Sequence, residues 1–274
     1  MMMTSIPLIN GIPAIGLGTY PLTAQQCVDA VHMAVELGYR HIDTAQMYGN
    51  EADVGRAIAS CGQPRASLFV TTKVDPSNLT RSHFADSVKK SVQDLGGPAD
   101  LLLIHWPPPD DQVDEALDLL AAEKARGNAH RIGVSNFPTK LLRRAVQRLG
   151  KDVSCNQVEF QPLLDQGTLK RVADELSVPL VAYSPIARGK ALEIAAVQEI
   201  AKRLGRPPSE IVLRWIVQQG VIVIPMTTKR ANAASNLNIF SFTLSEAEMK
   251  AISAVGTAAG RTVTSARMTG RWDV

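Results

Sequence analysis

Eight times along these 274 residues a short, mostly apolar run with strand-like composition gives way to a stretch with helical spacing. The runs occupy residues 14–18, 39–44, 68–73, 101–105, 131–134, 154–158, 179–183 and 221–225. Between them lie apolar stripes at helical intervals, among them Val28, Val31 and Val35, then Phe84, Val88, Val92 and Leu95, then Leu141, Leu142, Ala145, Val146 and Leu149. Further helices are expected over 51–60, 114–126, 167–176, 192–204 and 208–219. Strands that alternate with helices run parallel, because each helical crossover returns the chain to the same end of the sheet. Eight such units without a long interruption predict a closed (β/α)8 TIM barrel, one domain spanning residues 1–274, rather than an open sheet with a second domain. A β-hairpin over 6–13 turning at Asn10 and Gly11 precedes the barrel, and beyond Leu244 a helix and a C-terminal segment crossing the barrel complete it. Thr23 with Gln26 reads as a capping box for the first helix, and Gly38 as its closing residue.

The ends of three of these runs carry unusual chemistry. Asp43 ends the second run and Tyr48 follows in the loop after it; Lys73 ends the third; His105 ends the fourth. The carboxyl ends of parallel strands are where α/β folds place their active sites. A tyrosine ordinarily ionises near pH 10, too high for easy proton exchange at neutrality, and a neighbouring ammonium lowers that value by favouring the phenolate. Lys73 is the candidate neighbour, Asp43 would hold Lys73 charged and oriented, and the His105 imidazole could donate a hydrogen bond to a substrate oxygen. The set suits proton delivery to a carbonyl. It supplies no hydride, so the chemistry calls for a redox cofactor beside it.

GLGTY at 16–20, DTAQMYGNE at 43–51, TTK at 71–73, LIHWP at 103–107, IGVSNF at 132–137, NQVE at 156–159 and the closing Arg271, Trp272 and Asp273 together resemble the aldo-keto reductase superfamily across essentially the whole chain. Within it, the compact length, the run ASNL at 234–237 and the short loops are most similar to bacterial 2,5-diketo-D-gluconate and methylglyoxal reductases. The resemblance implies Tyr48 as general acid, tuned by Lys73 and Asp43, with His105 orienting the carbonyl. It implies NADPH as cofactor, NADH binding more weakly. Ser135, Asn136 and Gln157 would then hold the nicotinamide carboxamide, Tyr183 would stack on the ring, and Thr227, Lys229 and Arg230 would meet the 2'-phosphate, with Asn236 on the adenine side. Gly18, Thr19, Ser184, Pro185, Ile186 and Gly189 complete the implied cofactor contacts, and Tyr20 and Trp106 are expected as aromatic walls of the substrate pocket. Met226 and Asn232 stand where many relatives carry lysine and arginine, and Tyr20 where many carry tryptophan or phenylalanine.

Other classes fare worse. No G-x-G-x-x-G follows a strand, which argues against a Rossmann domain. Cys27, Cys61 and Cys155 have no metal-site spacing, there is no H-x-H or H-E-x-x-H, and His32, His41, His83 and His130 read as scattered over helix and loop positions, so no metal is expected. A net charge of +3 is small, and the basic clusters at 140–148 and 261–271 lack interleaved aromatics; they read as solvated surface, without a nucleic-acid partner. The N-terminal residues lack the basic segment of a signal peptide, and no apolar run approaches the ~20 residues needed to span a bilayer. A cytoplasmic monomer acting on a small carbonyl compound is the expectation. Two rivals are a barrel aldolase using Lys73 as Schiff-base former and a non-catalytic nucleotide-sensing regulatory subunit.

Overall fold

The computed structural model describes residues 6–273, so the reading of the extreme N-terminus concerns, at residues 1–5, a part outside the described residues. The hairpin pairs β1 (Leu8–Ile9) with β2 (Ile12–Pro13). Its turn has positive φ at both Asn10 (50°) and Gly11 (74°), the backbone of a type I' turn, which the Asn-Gly pair tolerates with little strain. The hairpin sits at the amino-terminal end of the barrel strands. Asn10 O accepts from Arg131 Nη1 at 2.7 Å, and Asn10 Nδ2 donates to Ser154 O at 3.3 Å.

Eight parallel strands follow: β3 (Leu17–Gly18), β4 (His41–Asp43), β5 (Phe69–Val74), β6 (Ala99–Ile104), β7 (Ala129–Ser135), β8 (Val153–Glu159), β9 (Leu180–Tyr183) and β10 (Ile222–Val223). They are ordered in space as in sequence, and the two edges meet: Gly16 N donates to Val223 O (2.8 Å), Val223 N to Ala14 O (3.0 Å) and Gly18 N to Pro225 O (3.1 Å). The first and last strands are therefore shorter as regular elements than their apolar runs, yet residues 14–18 and 223–225 still close the barrel.

Around it lie α1 (Ala24–Leu37), α2 (Glu51–Ser60), α3 (Phe84–Leu95), α4 (Val113–Ala125), α5 (Thr139–Leu149), α6 (Gly167–Glu175), α7 (Ala195–Leu204), α8 (Pro208–Val217), α9 (Arg230–Leu237) and α10 (Glu246–Ser253). The short α9 has no apolar stripe to announce it. The barrel strands face two cores at once, which is why β6 reads as continuous Leu and Ile: Leu102 and Ile104 pack outward against the helices, while Leu101 and Leu103 fill the interior with Ile12, Cys155, Val181, Ile222 and Ile224.

Three local expectations are corrected. Thr23 makes no side-chain cap; Ala24 takes φ 50°, and its N–H is instead met at 2.6 Å by Asp53 Oδ2 from α2. The capping box that does form is Ser245 with Glu248, at the start of α10. His41 lies on β4 and His130 on β7, not on helices or loops, because β4 turns the His41 ring into the barrel interior to meet Thr71 Oγ1 at 3.0 Å. Of the basic clusters, residues 140–148 are charge-matched by α4, through Arg144 to Asp114 (2.7 Å) and Arg148 to Asp118 (2.6 Å), whereas Arg261 is partly buried.

Candidate active site

Parallel pairing of β4 with β5 aligns Asp43 with Thr71, and Lys73 lies two residues further along on the same face. The Lys73 ammonium is wholly buried. It donates to Asp43 Oδ1 (2.5 Å), to Thr44 O (2.8 Å) and to Tyr48 OH (3.2 Å). An ammonium has three donors, and all three are used. The second Asp43 oxygen accepts from Gln157 Nε2 at 2.7 Å, tying β8 into the same network.

Tyr48 rides on a single 3-10 turn, Gln46–Tyr48, closed by Gly49 at φ 67°. Two side chains brace that turn. Asn50, fully buried, accepts from Thr44 Oγ1 (2.6 Å) and donates to Leu22 O (2.7 Å); Gln46 accepts from Asp75 N (2.9 Å) and donates to Ser91 Oγ (3.0 Å). Neither was singled out from sequence, although both lie within the DTAQMYGNE segment. Their signal is only that buried amides at a loop must find partners.

The electrostatics differ from the sequence expectation at one point. Burial is the larger influence on Tyr48 and raises its pKa, with Lys73 acting in the opposite direction, so the net shift is upward rather than down. The ammonium that would favour the phenolate is already neutralised by Asp43. Burial alone would lower Lys73, but Asp43 and Tyr48 outweigh it and hold the ammonium charged. His105 is pushed down to about 3 by burial and then by Lys73, so its imidazole is neutral. Its Nδ1 is buried without a partner among the described residues, which leaves Nε2 as the nitrogen able to face a ligand.

These groups floor a cavity of about 690 Å³ at the carboxyl ends of the strands. Asp43, Tyr48 and His105 line it together with Tyr20, Pro21, Met47 and Trp106 and with Asn136, Gln157 and Tyr183. Gly18, Thr19, Ser184, Pro185 and Ile186 also line it, with Arg188, Met226 and Val263 in addition. Tyr183 OH donates to Asn136 Oδ1 at 2.7 Å, and Asn136 Nδ2 donates to His105 O at 2.9 Å, so the nearby strand ends hold one another in place. Asn136 and Ser184 follow β7 and β9 with φ of 62° and 47°, the strained left-handed backbone that tends to collect at functional sites.

Six expected cofactor residues lie outside this lining. Ser135 is buried and donates to Gln157 O at 2.8 Å; Gly189 follows the lining residue Arg188. Half-buried Thr227 and exposed Lys229 lie in the turn before α9, and Arg230 opens the helix, where it pairs with Glu36 of α1 at 2.8 Å. Asn236 is buried in α9 beside the Tyr39 hydroxyl. Met47, Pro21, Arg188 and Val263 were not foreseen as lining. Val263 in particular reaches the cavity only because the distant tail folds over it.

A closed parallel barrel with a buried Asp-Lys pair beside a tyrosine in a strand-end cavity is the frame of an α/β-barrel enzyme. Residues 7–257 match the Aldo/keto reductase family, and the chain belongs to that family; it is an oxidoreductase. It is 40% identical over 245 residues, 88% of this chain and 92% of the relative, to methylglyoxal reductase DkgB of Yersinia pestis. A solved structure assigned to 2,5-diketo-D-gluconic acid reductase B superposes with a TM-score of 0.93 at 38% identity, covering 97% of this chain and 96% of the other. The D53A mutant of Gox0644, solved in complex with NADPH, superposes at 0.88 with 31% identity, covering 95% of each chain.

Proposed function

We propose that this chain is an NADPH-dependent reductase of aldehydes and ketones, acting on small dicarbonyls such as methylglyoxal and on keto sugars such as 2,5-diketo-D-gluconate. The observation that carries the reading is the Lys73 ammonium bonded at once to Asp43, Thr44 O and the Tyr48 hydroxyl beneath the cavity. Tyr48 is protonated at neutral pH and lies in the cavity wall, so it is the group that delivers a proton to a carbonyl oxygen as negative charge develops there. Lys73 stabilises the phenolate left behind, and Asp43 keeps Lys73 charged and in place. Neutral His105 has one N–H, and with that proton on Nε2 it donates to the same carbonyl oxygen and so fixes which face is presented.

The residues present suit a dinucleotide. Asn136, Gln157 and the Tyr183 ring form a polar and aromatic seat, Gly18 and residues 184–186 border it, and Lys229 with Arg230 offers cations beyond Met226. When bound there, the nicotinamide supplies the hydride. The reading takes residues 1–274 as one domain working as a cytoplasmic monomer, with a small molecule as its only required partner.

The aldolase alternative asks Lys73 to attack a carbonyl as a free amine. Its ammonium has no donor left over, is held charged and lies below the cavity lining, which argues against that role. Purified protein should oxidise NADPH when given methylglyoxal, and more efficiently than with a steroid ketone. Only residues 107–112 separate Trp106 from α4, too few to build a deep apolar sleeve. No NADPH consumption with dicarbonyls, keto sugars or aromatic aldehydes would overturn the reading; a higher kcat/KM for the steroid would overturn the substrate class.

A further inference from the structure

A dinucleotide brings more charge to the cavity than its 2'-phosphate. The pyrophosphate joining its two riboses is a double anion, and taking it out of bulk water is costly unless cations or hydrogen-bond donors meet it. Lys229 and Arg230 stand outside the cavity lining, whereas Arg188 is the one lysine or arginine within it. The carboxylate in the lining, Asp43, is committed to Lys73, and His105 is neutral. The lining contributed by the same loop, Ser184, Pro185 and Ile186, and by the segment after β10, Ile224, Pro225 and Met226, carries no charge.

Arg188 is exposed, and among the described residues it makes no ion pair and no side-chain hydrogen bond. It is nevertheless presented from a fixed turn. Ala187, Arg188 and Gly189 take positive φ in succession, at 49°, 55° and 97°. The turn is closed by Ala187 N donating to Ser184 O and Gly189 N donating to Ile186 O, both at 2.9 Å. Ala187 and Ala191 are fully buried on either side, so Arg188 is the residue that emerges at the cavity edge. Left-handed backbone at alanine and arginine is the kind of strain that persists at ligand sites. Here it holds an unpaired guanidinium, whose planar fork can meet two phosphate oxygens at once.

We propose that Arg188 is the cation that holds the pyrophosphate of the dinucleotide, a contact shared by NADPH and NADH, whereas Lys229 reads the 2'-phosphate alone. The proposal deepens the reductase reading and rests on its cofactor. Its test is calorimetric titration of the full chain, native, Arg188→Met and Arg188→Lys, with NADPH, NADH and ADP-ribose. ADP-ribose has the pyrophosphate but neither the nicotinamide nor the 2'-phosphate. Arg188→Met should raise all three dissociation constants by a similar factor, at least about tenfold, the worth of one hydrogen bond to a charged group. Lysine should recover part of the loss, because a point charge keeps the attraction without the fork. NADH binding should also depend less on salt in Arg188→Met than in the native protein. A loss confined to NADPH would assign Arg188 to the 2'-phosphate, and unchanged affinity for ADP-ribose would make it a solvated surface cation; either result overturns the proposal. If the native protein binds ADP-ribose yet reduces no carbonyl with NADPH, the reductase reading falls, and the ADP-ribose titration still decides the role of Arg188. If it binds none of the three, both fall.

Discussion

A single ammonium shows how much one residue can organise. Lys73 is charged in the barrel interior because three acceptors from the single stretch 43–48 surround it, and removing the Asp43 carboxylate would expose the cost of burying that charge. Tyr48 is the acceptor whose loss should leave the rest intact. Tyr48→Phe should reduce turnover by about 10² or more, the usual worth of a positioned acid, with the dissociation constant for NADPH near that of the native protein. Retention of more than about a tenth of the activity would remove Tyr48 from the role. At the far end of the proposed cofactor path, Arg230 shares its charge with Glu36, so Lys229 is the less engaged of the two cations that would read a 2'-phosphate. Lys229→Met should weaken NADPH binding at least about tenfold, the value of one charge-assisted hydrogen bond, while NADH changes little. Fluorescence titration with both cofactors decides this: equal weakening would mean that Lys229 does not read the phosphate.

Between elements, close approach matters more than propensity. A Cβ on Gly55 of α2 would stand 1.9 Å from Asp94 O at the end of α3, and that contact is backbone, unable to swing aside. Gly55→Ala should therefore destabilise the fold by roughly 1 to 3 kcal/mol, the usual cost of overpacking, despite alanine being the better helix former. Urea unfolding checks it, and a variant as stable as the native protein would show that the two helices can slide apart freely. The same logic explains the failed capping box at Thr23. Sequence spacing suggested a local cap, but α2 brought Asp53 to the first turn of α1 and met its N–H from outside.

For the molecule as a whole, the barrel interior holds ionisable groups that respond to acid. Burial lowers His41 to about 4 and His105 to about 3, so the folded state keeps both neutral while an unfolded chain would protonate them near pH 6.5. The unfolded state then binds more protons below that pH. Stability is fully present above about pH 6.5 and is lost as pH falls towards 4, by about 3 kcal/mol for His41 alone. Urea midpoints measured across pH 7 to 5 should fall with a slope approaching two protons. A flat profile would mean that His41 and His105 are not held neutral by the fold.

Much of this architecture was legible beforehand. The alternation of apolar strands and amphipathic helices is set by local periodicity, and the strand-end positions of Asp43, Lys73 and His105 follow from where each run stops, so the barrel, the Asn10-Gly11 hairpin and the grouping of the catalytic candidates could be read from the residues alone. The α9 helix, the bracing by Asn50 and Gln46, the upward shift of Tyr48 and the partial burial of Arg261 could not. Each depends on groups far apart in the chain: Tyr48 titrates according to burial and to a Lys73 already committed to Asp43, and Arg261 leaves solvent because Glu159, about a hundred residues earlier, draws the tail across the cavity. Periodicity records which face of an element is covered, whereas the covering partner, and with it the local dielectric and the supply of hydrogen bonds, exists only once the barrel has closed and the tail has docked.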